Sequence, residues 1–490
     1  MQLDIIARRA ELSPQRPAVQ FRGRWYSYAE LDQRASRLAA RLRALSIAKG
    51  DRVSIMAANH LAHFDLVHAA PRLGYIYAPF NFRLSAAEQK GLGEYIAPKL
   101  MLHDAKNESM ARATGAPLQP LDAYEEWLAA AEPAAPTTPC VGPEDVAMIL
   151  FTGGSTGLPK GAMLAHRQLF FNAVNTAFSW GVTGEDCVIQ ATPAFHAAFN
   201  VFGTPLMHVG GRVVMLENFE PGEYLRIVAR ERATVLFMVP TMFQMLAEHP
   251  DFRSADLSSV RWAICGGAPC PETVQARFAM RGIRFRQGFG MTEAGVNCFT
   301  VELDDAERRP GTVGKPMLHA EAVIRDAEGQ PVARGEVGEL TLRGPHLFLG
   351  YYQRPEETAK CLHDGWLWTG DLARQDAEGF FYIVGRSKEM YISGGENVYP
   401  VEVESAIYEQ PEVAECAVVG VPHERWGETG LAALALKPGC TLSAEELRGR
   451  LKQRLAGYKV PGHVLFLDAL PKSGAGKILK PEIRKLFEGR

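Results

Sequence analysis

Residues Phe151 to Gly161 read FTGGSTGLPKG. Ahead of them, Val146-Ala147-Met148-Ile149-Leu150 is a short apolar run with the length of a buried strand. Behind them, His166 to Trp180 carries apolar residues at Leu169, Phe170, Val174 and Phe178, and the spacing predicts a helix. The loop between holds four glycines, the hydroxyls of Ser155 and Thr156, and the cation of Lys160. Glycines let backbone N–H groups approach an anion, hydroxyls add donors and the lysine adds charge, so the expected ligand is a polyphosphate. Turn composition alone would suit any surface loop. The hydroxyl pair and the lysine single this one out.

The chain has 490 residues, more than one ordinary core holds, so at least two domains are expected. Hydrophobic residues make up 47% and charged residues 22%, the balance of a soluble globular protein. A formal net charge of -3 gives no general pull toward nucleic acid or anionic membrane, so a phosphate site has to be a local arrangement. The eight cysteines, at 140, 187, 265, 270, 298, 361, 416 and 440, show no close zinc or redox spacing and read as reduced thiols of a cytoplasmic protein. The N-terminus lacks an apolar core after a basic start, so no signal peptide is expected, and no apolar run is long enough to span a bilayer.

Outward from the loop, short apolar runs alternate with helical spacing. Arg52 to Ala57, Tyr75 to Pro79 and Leu100 to Leu102 read as strands between helices at 28–44, 61–72 and 85–95. Val188 to Ala191, Val213 to Leu216, Val235 to Val239 and Trp262 to Cys265 continue the strands after the loop. This alternation predicts an α/β fold of mixed, mostly parallel sheets with covering helices. Loops after 150, 191, 239 and 265 are expected together at one sheet edge, where such folds place their sites. Pro133 to Pro143 reads as a connector. From about 310 the runs shorten into a β-rich subdomain, and past about 387 a small α+β unit follows.

Four further stretches carry polar groups in glycine-rich or turn settings. Gln287-Gly288-Phe289-Gly290-Met291-Thr292-Glu293 sets a carboxylate beside a hydroxyl, a pair that can hold Mg²⁺ on a nucleotide. Trp368-Thr369-Gly370-Asp371 offers an acid that can accept ribose hydroxyls. Pro471-Lys472-Ser473-Gly474-Ala475-Gly476-Lys477 presents a lysine in a glycine loop, and Ala194-Phe195-His196 a histidine beside an aromatic ring. Alone, each is a common turn or packing motif.

Together and in this order they resemble the adenylate-forming superfamily: acyl-CoA synthetases, luciferases and peptide-synthetase adenylation domains. The P-loop of nucleotide hydrolases is a poorer match, because Leu158 and Pro159 separate Gly157 from Lys160 and Gly161 follows the lysine. The resemblance implies a large N-terminal domain over 1–387, bearing the ATP and acyl sites. It also implies a small mobile C-terminal domain over 388–490, with Lys388 as the hinge. Thr152, Gly153, Gly154, Ser155, Thr156, Gly157 and Lys160 would hold phosphate. The family's usual Thr-Ser-Gly is here Thr152-Gly153-Gly154, one hydroxyl fewer. Gly288, Phe289, Gly290 and Met291 would flank the adenine. Thr292 and Glu293 would serve ATP, with Thr156 and Glu293 at the metal, while Asp371 and Arg386 would take the ribose, and Ile383 also belongs to the cofactor site. Ser393, Gly394 and Gly395 would line the pantetheine tunnel.

Lys477 matches the family's catalytic lysine, which bridges the attacking carboxylate and the α-phosphate; Lys480 stands where the family often has arginine. The implied chemistry has two steps, acyl-adenylate formation from a carboxylate and ATP with Mg²⁺, then transfer to coenzyme A. Lys477 would obstruct the incoming thiol, so rotation about Lys388 would withdraw it and bring in Gly394 and Gly395. The acyl pocket is expected from His196, Phe199, Thr241, Cys265, Gly266, Gly267, Gly288, Ala294, Gly295, Val296 and Asn297, with His196 positioning the acid. No cationic side chain stands among them, which disfavours dicarboxylates and amino acids. RQGFGMTEAG and LAGYKVP are similar to bacterial feruloyl-CoA synthetases, so a hydroxycinnamate is the expected acid. A medium- or long-chain fatty acid is the alternative, and a stand-alone domain loading a carrier protein the third reading. A small-molecule acid is the expected partner, with no nucleic acid and no integral membrane segment, in a monomer or homodimer.

Overall fold

The computed structural model describes residues 1–132, 140–152, 158–472 and 478–488. Gly153, Gly154, Ser155, Thr156, Gly157 and Lys477 lie outside the described residues. Two seven-stranded sheets dominate the N-terminal region. The first runs Arg284–Gln287, Trp262–Cys265, Val235–Met238, Cys187–Gln190, Arg212–Met215, Pro17–Phe21 and Arg24–Ser27. Its pairs are parallel except for the last. Its central strands are apolar without alternation because helices cover both faces. One face sends Val235, Phe237 and Ile264 into a core with Phe199 and Phe202. The other sends Leu236, Met238, Ala263 and Cys265 into a second core with Phe243 and Phe278.

The second sheet runs Gly350–Tyr351, Lys160–Ala165, Val146–Thr152, Ile76–Pro79, Arg52–Met56, Leu100–His103 and Leu118–Pro120. Two expectations change here. The sequence pattern predicts a glycine-rich loop passing straight into a helix. Instead Lys160–Ala165 is a strand that folds back antiparallel on Val146–Thr152, with Leu150 opposite Ala162, before helix His166–Trp180 begins. The small apolar residues of GAMLA suit the inner side of a hairpin, and a six-residue return strand is too short to show periodicity. The loop after residue 150 also leaves this second sheet, whereas those after 191, 239 and 265 leave the first. Parallel strands read the same in sequence whichever sheet they join.

An antiparallel five-stranded sheet follows, built of Glu321–Arg325, Val337–Arg343, Trp366–Gln375, Leu362–His363 and Phe381–Arg386. Between its strands, Gly350–Tyr351 crosses to the phosphate-loop hairpin and pairs with Ala162 and Met163. A smaller C-terminal domain has its own sheet, with Val413–His423 and Gly427–Leu436 at its centre. Helices Pro400–Tyr408 and Ala444–Leu451 close its core. Ser443 and Glu446 form a capping box that starts the second of these. The α/β class, with a large N-terminal domain of mostly parallel sheets and a smaller C-terminal one, is as expected. Among the described residues no helix is long and apolar enough to cross a membrane.

Candidate active site

The carboxyl edges of the two large sheets are tied together by one amide. Asn59 follows strand Arg52–Met56 and is buried. Its Nδ2 donates to the carbonyls of Thr192 (3.1 Å) and Leu216 (2.9 Å), and its Oδ1 accepts from the N–H of Ala194 (2.7 Å). Ala194-Phe195-His196 is thus held against the other sheet. No local pattern marks Asn59 in the sequence, since its partners are 133 to 157 residues away.

The Gly288–Glu293 segment is built on close backbone approach. The Gly288 N–H donates to the Cys265 carbonyl at 2.8 Å. A Cβ on Gly290 would lie 1.5 Å from the Val296 carbonyl oxygen, so only glycine fits there. Val296 itself sits at φ +82°, a strained setting for a β-branched residue. This turn presents Thr292 and Glu293, both buried, the latter only 6% exposed. Gln168 of the helix behind the phosphate hairpin donates to the Thr292 carbonyl at 3.3 Å.

The Glu293 carboxylate accepts a hydrogen bond from the Tyr351 hydroxyl at 2.8 Å. Burial, and then the Glu293 carboxylate, push the Tyr351 phenol far above its ordinary value, so it stays protonated and donates. The Lys160 Nζ stands 4.2 Å from the centre of the Tyr351 ring and 3.5 Å from Glu357. Thr152 lies opposite Lys160 in the hairpin. Lys160, Tyr351 and Glu293 therefore form one connected line from the hairpin of Val146–Thr152 and Lys160–Ala165 to the Gly288–Glu293 segment. Tyr351 was missed by sequence reading. Its strand has two residues, and its partner is 58 positions away.

Asp371 and Arg386 face each other across an antiparallel pair, with Arg386 Nε 2.9 Å from Asp371 Oδ1. The Asp371 side chain is buried and the Arg386 side chain more than half exposed. Ile383, on the strand with Arg386, packs with Phe289 and Met291 on one cluster, and the Phe289 ring meets Phe299 edge-on at 5.7 Å.

The residues expected in the acyl pocket divide. Gly266 lies over the Phe237 ring, Gly267 sits at φ +85°, and Thr241 is exposed in the first turn of helix Pro240–Glu248. The His196 Nδ1 accepts from the N–H of Ala198 at 3.2 Å. Gly295, at φ +76°, backs onto the His346 carbonyl, and Ala294 is buried. Phe199 stands behind this group, 2% exposed and edge-on to Phe64 at 5.0 Å. The Cys265 side chain points to the opposite face of its sheet, into the core with Met238 and Phe285. Asn297 uses its amide within the protein, donating to Thr176 Oγ1 at 2.6 Å and to the Val201 carbonyl at 3.1 Å. The strict alternation of a strand and the pull of buried partners decide these orientations, and neither is visible residue by residue.

In the C-terminal domain, Lys388 is exposed in a turn where the N–H groups of Glu389 and Met390 donate to the Arg386 carbonyl. Ser393 is buried, and Gly394 and Gly395 take positive φ (63° and 88°). The Gly394 N–H donates to the Trp426 carbonyl, and a Cβ there would lie 3.1 Å from the Trp426 ring. Lys480 pairs with Glu389 at 2.6 Å and Glu404 at 2.9 Å, joining the C-terminal helix to the turn that carries Lys388.

Comparison with known proteins meets this geometry. The family profile for AMP-binding enzymes matches residues 6–352, and that for the AMP-binding enzyme C-terminal domain matches residues 402–477. The chain belongs to the AMP-binding enzyme family. This AMP-binding enzyme is 42% identical over 482 residues to a feruloyl-CoA synthase of an Amycolatopsis species, covering 98% of each chain. It is 32% identical over 469 residues to a long-chain-fatty-acid–CoA ligase of Mycobacterium tuberculosis, covering 94% of this chain and 93% of that one. Its fold superposes on the o-succinylbenzoate CoA synthetase of Bacillus subtilis in complex with the acyl-adenylate intermediate. The TM-score is 0.90 at 31% identity, over 99% of this chain and 98% of that one. As an AMP-binding enzyme it is an acid–CoA ligase of the AMP-forming class, which uses ATP and CoA.

Proposed function

We propose that this ligase acts on a hydroxycinnamate such as ferulate or p-coumarate. The observation that carries this reading is the 42% identity to feruloyl-CoA synthase along 98% of both chains. The Phe237 ring beside Gly266, backed by the buried rings of Phe202, Trp180 and Trp262, agrees with it.

The roles are those that the family's motifs imply. Thr152, Gly153, Gly154, Ser155, Thr156, Gly157 and Lys160 hold the phosphates. Asp371 and Arg386 take the ribose, and Phe289, Met291 and Ile383 flank the base. Lys477 stabilises charge developing at the α-phosphate as the carboxylate attacks. No three His, Cys, Asp or Glu side chains stand together as a metal site among the described residues. The single buried carboxylate of Glu293 suits Mg²⁺, which takes most of its ligands from phosphates and water, and the family's motif implies the Thr156 hydroxyl beside it. When bound it supplies positive charge against the phosphate oxygens. The segment 388–490 then turns about Lys388, and Gly394 and Gly395 open the approach for the thiol of coenzyme A.

The test is AMP and thioester formation by mass spectrometry with ATP, Mg²⁺ and CoA over ferulate, p-coumarate, benzoate, octanoate and palmitate. Preference for the cinnamates is expected. Preference for octanoate or palmitate would replace this reading with the fatty acyl one, which the 32% identity to the long-chain ligase supports.

A further inference from the structure

Arg286 lies on strand Arg284–Gln287, two residues before Gly288 and beside Ile264 of the neighbouring strand. It is 5% exposed. Strand neighbours alternate faces, so Arg286 shares a face with Gly288 and lies about 7 Å deeper along the strand. That face carries Ile264, Phe237 and Trp262 into the core beneath helices His166–Trp180 and Phe199–Val209. The guanidinium stacks over the Trp262 ring at 4.6 Å, and Trp262 meets Trp180 and Phe202 at 6.1 Å each.

The Nε and Nη1 groups of Arg286 are buried without a hydrogen-bond partner among the described residues. A guanidinium only donates, so an unfilled buried one calls for an oxygen acceptor. Burial pulls its pKa down to about 10, against an opposing pull from Glu302, and it remains a cation at neutral pH. Asn297, the amide expected from sequence to line the acyl pocket, already spends its donors on Thr176 and Val201.

We infer that Arg286 is a specificity-determining residue, donating to a phenol or methoxy oxygen at the distal end of an aryl acid whose ring lies against the Trp262 and Phe237 wall. This rests on the hydroxycinnamate reading. A distal carboxylate would satisfy the same donors. Glu302 stabilises the cation while Arg261 and Arg284 oppose it, so the choice of a neutral oxygen follows from the similarity to feruloyl-CoA synthase.

The test compares kcat/KM for p-coumarate, cinnamate, 4-carboxycinnamate and octanoate in the wild type and in Arg286→Leu, Arg286→Gln and Arg286→Lys. Thermal melting accompanies each variant. The p-coumarate to cinnamate ratio is expected to fall roughly 10- to 100-fold in Arg286→Leu and to recover in part in Arg286→Lys. Should Arg286→Leu fail to fold, Arg286→Gln carries the comparison. Equal losses on p-coumarate and cinnamate, with the wild type still preferring cinnamates to octanoate, would overturn the role of Arg286 and leave the hydroxycinnamate reading standing. A wild type that prefers octanoate to every cinnamate removes both. Preference for 4-carboxycinnamate would overturn the neutral-oxygen assignment.

Discussion

Tyr351 is the residue on which the Lys160 hairpin and the Gly288–Glu293 segment meet, with its hydroxyl on Glu293 and its ring under Lys160. Tyr351→Phe keeps the ring and removes only the donor. A hydrogen bond to a charged group is worth about 1.5–3 kcal/mol, so pyrophosphate release should fall about ten-fold or more while the melting temperature changes little. An unchanged rate would show that Glu293 needs no such donor. Gly290→Ala tests the other local constraint. Its methyl group would meet the Val296 carbonyl, which is itself held in a strained turn. The variant should melt lower and lose pyrophosphate release. Thr292-Glu293 was recognisable from its glycines and polar pair. Tyr351 and Arg286 were not, since an isolated tyrosine or arginine has no pattern and draws its meaning from what it is packed against.

Between elements, the critical tie is Asn59, which joins the carboxyl edge of one large sheet to loops from the other. Asn59→Ala would leave two carbonyls and one N–H without their partner in a buried place. Urea denaturation should show a loss of about 2–4 kcal/mol, with adenylate formation weakened because His196 is no longer anchored. A stability within error of wild type would show that water replaces the amide. The elements themselves were largely legible: helix His166–Trp180 and strand Trp262–Cys265 lie where periodicity and length put them. The return strand Lys160–Ala165 was not, because its pairing across the loop, rather than any period of its own, makes it a strand.

For the whole molecule, buried histidines set the acid limit. Burial pulls His63 down to about 3 and His166 and His346 to about 4. They are neutral in the fold, while the unfolded chain takes up protons near the ordinary value of about 6.5. Stability is therefore intact above that value and falls as pH drops from about 6.5 toward 4, by about 1.4 kcal/mol per pH unit for each such histidine. Denaturation midpoints at pH 7.5 and 5.5 should differ in that direction, and a flat profile would contradict it. The two-step chemistry is also a property of the whole chain. Lys477→Ala should lose adenylate formation yet still convert a supplied acyl-adenylate with CoA. Equal loss of both steps would overturn the proposed rotation of the segment 388–490 about Lys388.

Several things were determined by the sequence alone. Apolar runs of strand length alternating with helical spacing dictate layered α/β domains, because that pattern follows from local geometry, and the glycines beside Ser155, Thr156 and Lys160 raise the expectation of an anion site. The order of the motifs named the family. Tertiary structure decided which sheet each strand joined, that Lys160–Ala165 pairs back on Val146–Thr152, and which side chains faced each other. Those depend on partners tens to hundreds of residues away, as with Asn59 and Thr192 or Tyr351 and Glu293. It also moved Asn297 from a candidate ligand group to an internal brace and exposed Arg286 as a buried cation with donors unfilled. Satisfaction of a buried polar group is a balance between neighbours in space, and the linear chain does not carry it.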